Sequence, residues 1–214
     1  MRPRRTTRLI LAAALFGAGL AGAPRPALSQ RAGGASTQAT TYPGRYPFTR
    51  ADIDFVSGMI SHHAQAIVMA GWAPTRAASQ SVKTLCARII NAQTDEIVLL
   101  QYWLKDRNQP VPEAKPLPRK MMMNGVEHEM MMPGMLTDAQ MKQLEASQGT
   151  DFDRNFLTFM IQHHQGAITM VNDLMASPAA AQDDAVYKFS SDIFADQSAE
   201  IERMQLMLST LPPR

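Results

Sequence analysis

Cysteine is nearly missing from this chain of 214 residues. Cys86 stands alone, which excludes an internal disulfide framework and any thiolate-cluster zinc site built from one chain. Aromatic residues are sparse at 7% and charged ones amount to 19%, while 45% of the chain is apolar, enough for one well-buried core at this length. The first 29 positions contain no acid, yet they hold Arg2, Arg4, Arg5, Arg8 and Arg25. Setting those five aside leaves 16 Lys and Arg against 19 Asp and Glu, a net charge of −3. That balance argues against a nucleic-acid binder working through a basic surface. The apolar run Leu9 to Leu20 is too short for a comfortable permanent membrane anchor.

What the N-terminus does carry is a positive stretch, that apolar run, and then Ala27-Leu28-Ser29, an acceptable cleavage pattern. Residues 1–29 are expected to be a secretory signal peptide, removed on export to the periplasm or the exterior. No cysteine follows it to take a lipid. Residues 30–47, rich in Gly, Ala, Ser, Thr and Pro, cannot repay the entropy of ordering and are expected to be a disordered linker.

The rest of the chain repeats itself. Phe55, Met59, Ile60, His62, His63, Ala66, Ile67 and Met69 recur as Phe156, Met160, Ile161, His163, His164, Ala167, Ile168 and Met170, each shifted by 101 positions. Downstream, Ile89, Gln93, Glu96 and Ile97 recur as Ile193, Gln197, Glu200 and Ile201. Large apolar residues fall three and four apart, as in helices, and strands are not indicated. Capping-box patterns occur at Thr49-x-x-Asp52, Thr137-x-x-Gln140 and Thr150-x-x-Asp153. Helices are expected at about 49–72, 78–107, 151–176 and 179–210, with breaks at Gly71 to Pro74 and at Ser177-Pro178. The expected fold is all-α: an antiparallel four-helix bundle over 48–211, made of hairpins 48–107 and 150–211 with a Met-rich crossover 108–136 and a short helix within 137–148.

At 100° per residue, His63 and His164 fall inside the apolar arcs of the motif helices, and His62 and His163 fall at the arc edges beside Met69 and Met170. Gln93 and Glu96 share the arc of one return helix, Gln197 and Glu200 that of the other. Buried polar groups need partners. One reading is a satisfied network in which Glu96 and Glu200 orient His63 and His164 and the glutamines complete the bonds. The other is metal, because imidazole suits copper, zinc and iron while neutral thioether suits Cu(I) or Ag(I). Met59, His62 and Met69, with Met160, His163 and Met170, put nitrogen and sulfur donors on one stripe, although a Met stripe alone is more often core filler.

Sixteen methionines are present, and seven of them, Met121, Met122, Met123, Met130, Met131, Met132 and Met135, fall within fifteen residues around His128. A segment with so many prolines nearby is not expected to pack as core. Thioethers around an imidazole can wrap a soft ion where a cysteine would oxidise; the alternative is a sticky loop folded over the bundle or onto a partner.

The doubled Met-Ile-x-His-His motif, each copy followed by Gln-x-x-Glu-Ile, resembles the CopM-like DUF305 family of exported bacterial proteins, over about Phe48 to Leu211. The resemblance implies a ferritin-like four-helix fold and, for some members, binding of copper and silver. It implies Met59, His62, His63, Met69 and their second-half equivalents as candidate metal-contacting positions. The leading expectation is a periplasmic Cu(I) or Ag(I) binder without turnover, passing its ion to an exporter or chaperone or lowering the free ion. A di-metal oxidase is the first alternative; it would draw on Glu96, Glu200, Asp52 and Asp153, but the chain lacks the Glu-x-x-His pairs of that class. A structural or adaptor bundle without metal is the second.

Overall fold

The computed structural model describes residues 47–123 and 126–213. The expected signal peptide and all of the linker except Pro47 lie outside the described residues. The chain is mostly helical: α1 (Arg50–Gly71), α2 (Ala73–Arg76), α3 (Gln80–Asp106), β1 (Arg119–Met123), β2 (Val126–Met130), α4 (Asp138–Ala146), α5 (Gly149–Ala176) and α6 (Asp184–Ser209). Helix α1 packs against α3, α5 against α6, and the two motif helices α1 and α5 against each other. Among the described residues no helix is long and apolar enough to cross a membrane.

The helix starts show which sequence signals act locally and which act across the fold. Thr49 and Asp52 form the expected capping box on α1, and Thr137 and Gln140 form the one on α4. The third expectation fails. Helix α5 begins two residues early, after Gln148, with no side-chain cap. Asp153 instead accepts hydrogen bonds from the backbone N–H groups of Ala78 (3.2 Å) and Ser79 (2.8 Å) at the start of α3. Asp52 does the matching work for the other return helix, its second oxygen accepting from Ala181 N–H at 2.7 Å. Both carboxylates thus tie one hairpin to the other. The last long helix starts at Asp184, not 179, because Ala179 and Ala181 have φ of 58° and 54° and cannot be helical. Asp183 caps it. The expected break after Gly71 contains one further helical turn, α2, with Pro74 tolerated in its first positions.

The expectation of no strands is also overturned. Strands β1 and β2 pair antiparallel inside the crossover, with Arg119 opposite Met130, Lys120 opposite Glu129 and Met121 opposite His128. The intervening sequence is Asn124-Gly125, the dipeptide favoured in two-residue hairpin turns.

The buried apolar side chains form two clusters. One gathers Met69, Leu85, Ile89, Leu144, Phe152, Phe156, Met160 and Met204; the other gathers Phe48, Phe55, Met59, Leu100, Trp103, Val171, Val186 and Ile193. Along each long helix a polar segment separates the two: His62 and His63 on α1, Gln93 and Glu96 on α3, His163 and His164 on α5, Gln197 and Glu200 on α6. Hydrophobic burial on either side therefore fixes the depth of a central polar layer. Cys86 belongs to the first cluster at 1% exposure. Burial, assisted by the charge of Asp153, pushes its thiol up to about 12, so it is an unreactive core residue.

Candidate metal centre

All four motif histidines are fully buried. For His62 and His163, expected at the arc edges, this is a correction, and its cause is a strap of the crossover running over the layer. Pro133 C=O accepts a hydrogen bond from His62 Nε2–H at 2.9 Å. Gln65, next along α1, makes two bonds to one residue of the strap: its Nε2 donates to Leu136 C=O (3.0 Å) and its Oε1 accepts from Leu136 N–H (2.7 Å). On α5, the position matching Gln65 is Gly166, where a Cβ would lie 1.9 Å from Pro133 O. Gly134, at φ +76°, also meets α5, where a Cβ would lie 2.5 Å from Gln162 O. The strap backbone therefore rests directly on the helix, and only glycine fits at either contact.

Beneath the strap the rings of His62 and His163 lie 3.8 Å apart, tilted by 38°. Burial holds both well below the ordinary imidazole range, His62 at about 3, and the neighbouring histidines lower them further. Both are neutral at pH 7. Because His62 donates through Nε2, its Nδ1 is a bare lone pair, buried without a hydrogen-bond partner, while the His163 ring lies against the backbone of His62. Such groups cost about 1 to 3 kcal/mol each when left unmade. An electron-pair acceptor at such a nitrogen, in the plane of its ring, would relieve that cost, and unprotonated imidazole nitrogens are the form that binds metal.

His63 and His164 behave differently. His164 Nε2 bonds Glu200 Oε2 at 2.8 Å, whereas His63 Nε2 lies 2.6 Å from Glu96 Oε2 without the alignment of a hydrogen bond. The glutamates thus sit against the expected imidazoles. The glutamines do not complete the network: Gln93 Oε1 and both polar atoms of Gln197 are buried without partners. Asp52 and Asp153 are occupied at the helix ends and take no part in the layer.

The thioethers divide into three groups. Met59, Met69 and Met160 are fully buried within the apolar clusters. Met132 and Met135, expected to stay out of the core, are buried, with 6% and 5% exposure, where the strap meets the helices, while Met130 and Met131 are exposed. Gly58 lets two candidates meet. A Cβ built there would lie 3.0 Å from Met132 Sδ and 3.3 Å from Met170 Cε, so thioethers of the crossover and of α5 share one site over α1. These two side chains line a pocket of about 260 Å³ with Asp54, Phe55 and Asp173. Met121, Met122, Met123 and His128 fall in the β-hairpin, where Met121 pairs with His128 in register. Among the described residues no three His, Cys, Asp or Glu side chains converge as a metal cluster.

Wheel geometry missed Gln65, Pro133, Gly134 and Gly166. One signal was present: the repeat is broken where Gln65 stands opposite Gly166, the two positions that hold the strap.

The family model described as "Domain of unknown function (DUF305)" matches residues 52–208. The chain belongs to the DUF305 family. It is 28% identical to a DUF305 protein of Streptomyces coelicolor, with a TM-score of 0.62, covering 74% of this chain and 92% of that one. A DUF305 fragment from Deinococcus radiodurans gives 28% identity and a TM-score of 0.62, covering 77% and 99%. CopM in its Cu(I)-bound form is 29% identical, with a TM-score of 0.56 and coverage of 74% and 95%. CopM has Cu(II)-bound, silver-bound and apo forms as well. No protein with a curated functional description is significantly similar to the chain.

Proposed function

We propose that this DUF305 protein is an exported Cu(I) or Ag(I) binder built on an antiparallel four-helix, ferritin-like bundle. It acts without turnover, lowering the free ion or passing it to a periplasmic exporter or chaperone. The observation that carries this reading is the His62–His163 pair, neutral, 3.8 Å apart and with the Nδ1 lone pair of His62 unpartnered, beneath a strap whose Met132 adjoins the Pro133 that His62 bonds. Imidazole nitrogen and thioether sulfur are donors that a soft monovalent ion accepts. Support also comes from the copper and silver forms of CopM, and the N-terminal signal pattern supports export. A di-metal carboxylate oxidase has less support, since Asp52 and Asp153 are taken up by backbone N–H groups.

The test is calorimetric titration of the apo mature chain with Ag(I), beside the double variant His62→Phe/His163→Phe, which keeps two aromatic rings and removes the nitrogens. The affinity of one class of sites is expected to fall by at least about tenfold. Isotherms that superimpose would overturn the reading. A companion variant with His128 changed to Ala and Met121, Met122 and Met123 changed to Ser reports on the hairpin; unchanged stoichiometry would remove the hairpin from the mechanism.

A further inference from the structure

Helices α3 and α6 leave a groove between them on the face remote in character from the methionines. Gln93, Glu96, Asp196, Gln197 and Glu200 line it around a pocket of about 190 Å³, with Arg88 and Arg203 also in its wall. It differs from the strap side in donor chemistry: oxygen from carboxylates and amides, no sulfur. We propose that this groove is a second cation site, one for a hard divalent ion, separate from the soft-ion layer at His62 and His163.

Two independent observations meet here. The first is charge. Three carboxylates, Glu96, Asp196 and Glu200, share the pocket, and Asp192 adds a fourth nearby. Arg88 and Arg203 offset part of this negative charge, and none of the described ion pairs joins them to the three acids. The second is the amides. Gln93 and Gln197 are each only 3% exposed, yet Gln93 Oε1 and both polar atoms of Gln197 have no partner. Two buried amides whose oxygens have no partner, contributed by equivalent positions of the two repeats, are costly for folding alone. A cation in the groove would take both amide oxygens as ligands. Glu96 and Glu200 each turn Oε2 toward an imidazole, which holds the carboxylates in place and leaves Oε1 of each for an ion. Since no three acidic or imidazole groups converge among the described residues, amide oxygens and retained water would complete the shell. Divalent ions of the magnesium, calcium and manganese type bind in that manner, whereas Cu(I) and Ag(I) do not.

The proposal does not depend on the soft-ion reading, and one paired experiment separates them. The apo mature chain is titrated with Mn(II), followed by electron paramagnetic resonance, and in parallel with Ag(I). One Mn(II) per chain is expected. Asp196→Asn, on the exposed rim, is expected to weaken Mn(II) at least about tenfold and leave the Ag(I) isotherm unchanged; Glu96→Gln/Glu200→Gln is expected to abolish Mn(II) binding. If the double variant does not fold, Asp196→Asn decides. No Mn(II) uptake at millimolar free ion, or uptake unaltered by Asp196→Asn, would overturn the second site. Loss of Ag(I) binding with Mn(II) intact would count against neither the groove nor its ligands.

Discussion

Gly166→Ala is expected to unfasten the crossover from the bundle. Alanine is the better helix former by about 1 kcal/mol, so a local view of α5 predicts stabilisation. The added Cβ, however, would sit 1.9 Å from Pro133 O and 2.5 Å from Gly134 Cα, and both obstacles are backbone. Neither can turn aside as a side chain would. The strap must lift, and with it goes the acceptor of His62 Nε2–H and the two bonds from Gln65 to Leu136. A net loss of about 1 to 3 kcal/mol follows from overpacking of this kind, measured by denaturant unfolding. Proteolysis within 108–136 should quicken, and the His62 ring resonances should move. Gly71→Ala supplies the contrast: a Cβ there meets nothing within 4 Å, so the change is expected to be neutral or stabilising by up to about 1 kcal/mol. Equal stability of the two variants would show that the strap is not seated on α5.

The second large effect is acid sensitivity of the apo protein above the pH at which carboxylates matter. His62 is depressed to about 3 and His163 also lies well below its ordinary value of 6.5. Unfolded, both rings take up protons below about pH 6.5; folded, they stay neutral. The unfolded state therefore binds more protons as pH falls, and stability is present above about pH 6.5 and lost progressively from there toward pH 3. Each ring contributes a slope of about 1.4 kcal/mol per pH unit, so the pair approaches about 3 kcal/mol per unit. Urea unfolding at pH 7, 6 and 5 measures it. His62→Phe/His163→Phe should remove most of the slope in that window; an unchanged slope would mean that these rings are not buried in the folded protein.

Much of this was written in the sequence, because hydrophobic periodicity and the repeat are local. The four long helices, the return-helix Gln-x-x-Glu pairs and the approach of Glu96 and Glu200 to His63 and His164 all follow from stepping residues around a wheel. What the wheel could not supply was the third dimension of the crossover. His62 and His163 fall at an arc edge on an isolated helix, and only a strap that His62 meets 71 residues along the chain buries them. Thr150-x-x-Asp153 has the spacing of a capping box, yet Asp153 bonds the start of a different helix, a choice set by hairpin packing that no local pattern records. Asn124-Gly125 is a hairpin signature in the sequence, but the run Arg119–Met123 before it lacks the apolar–polar alternation that marks a strand. Met59, Met69 and Met160 show the converse: their stripe is real, and it is core.

The most direct test of the central claim is X-ray absorption at the copper edge on mature protein loaded anaerobically with one equivalent of Cu(I) and desalted. Retained copper is expected, with a low-coordinate shell containing imidazole nitrogen and thioether sulfur, the nitrogen signature disappearing in His62→Phe/His163→Phe. Protein that emerges without copper, or with a shell of oxygen alone, would contradict it.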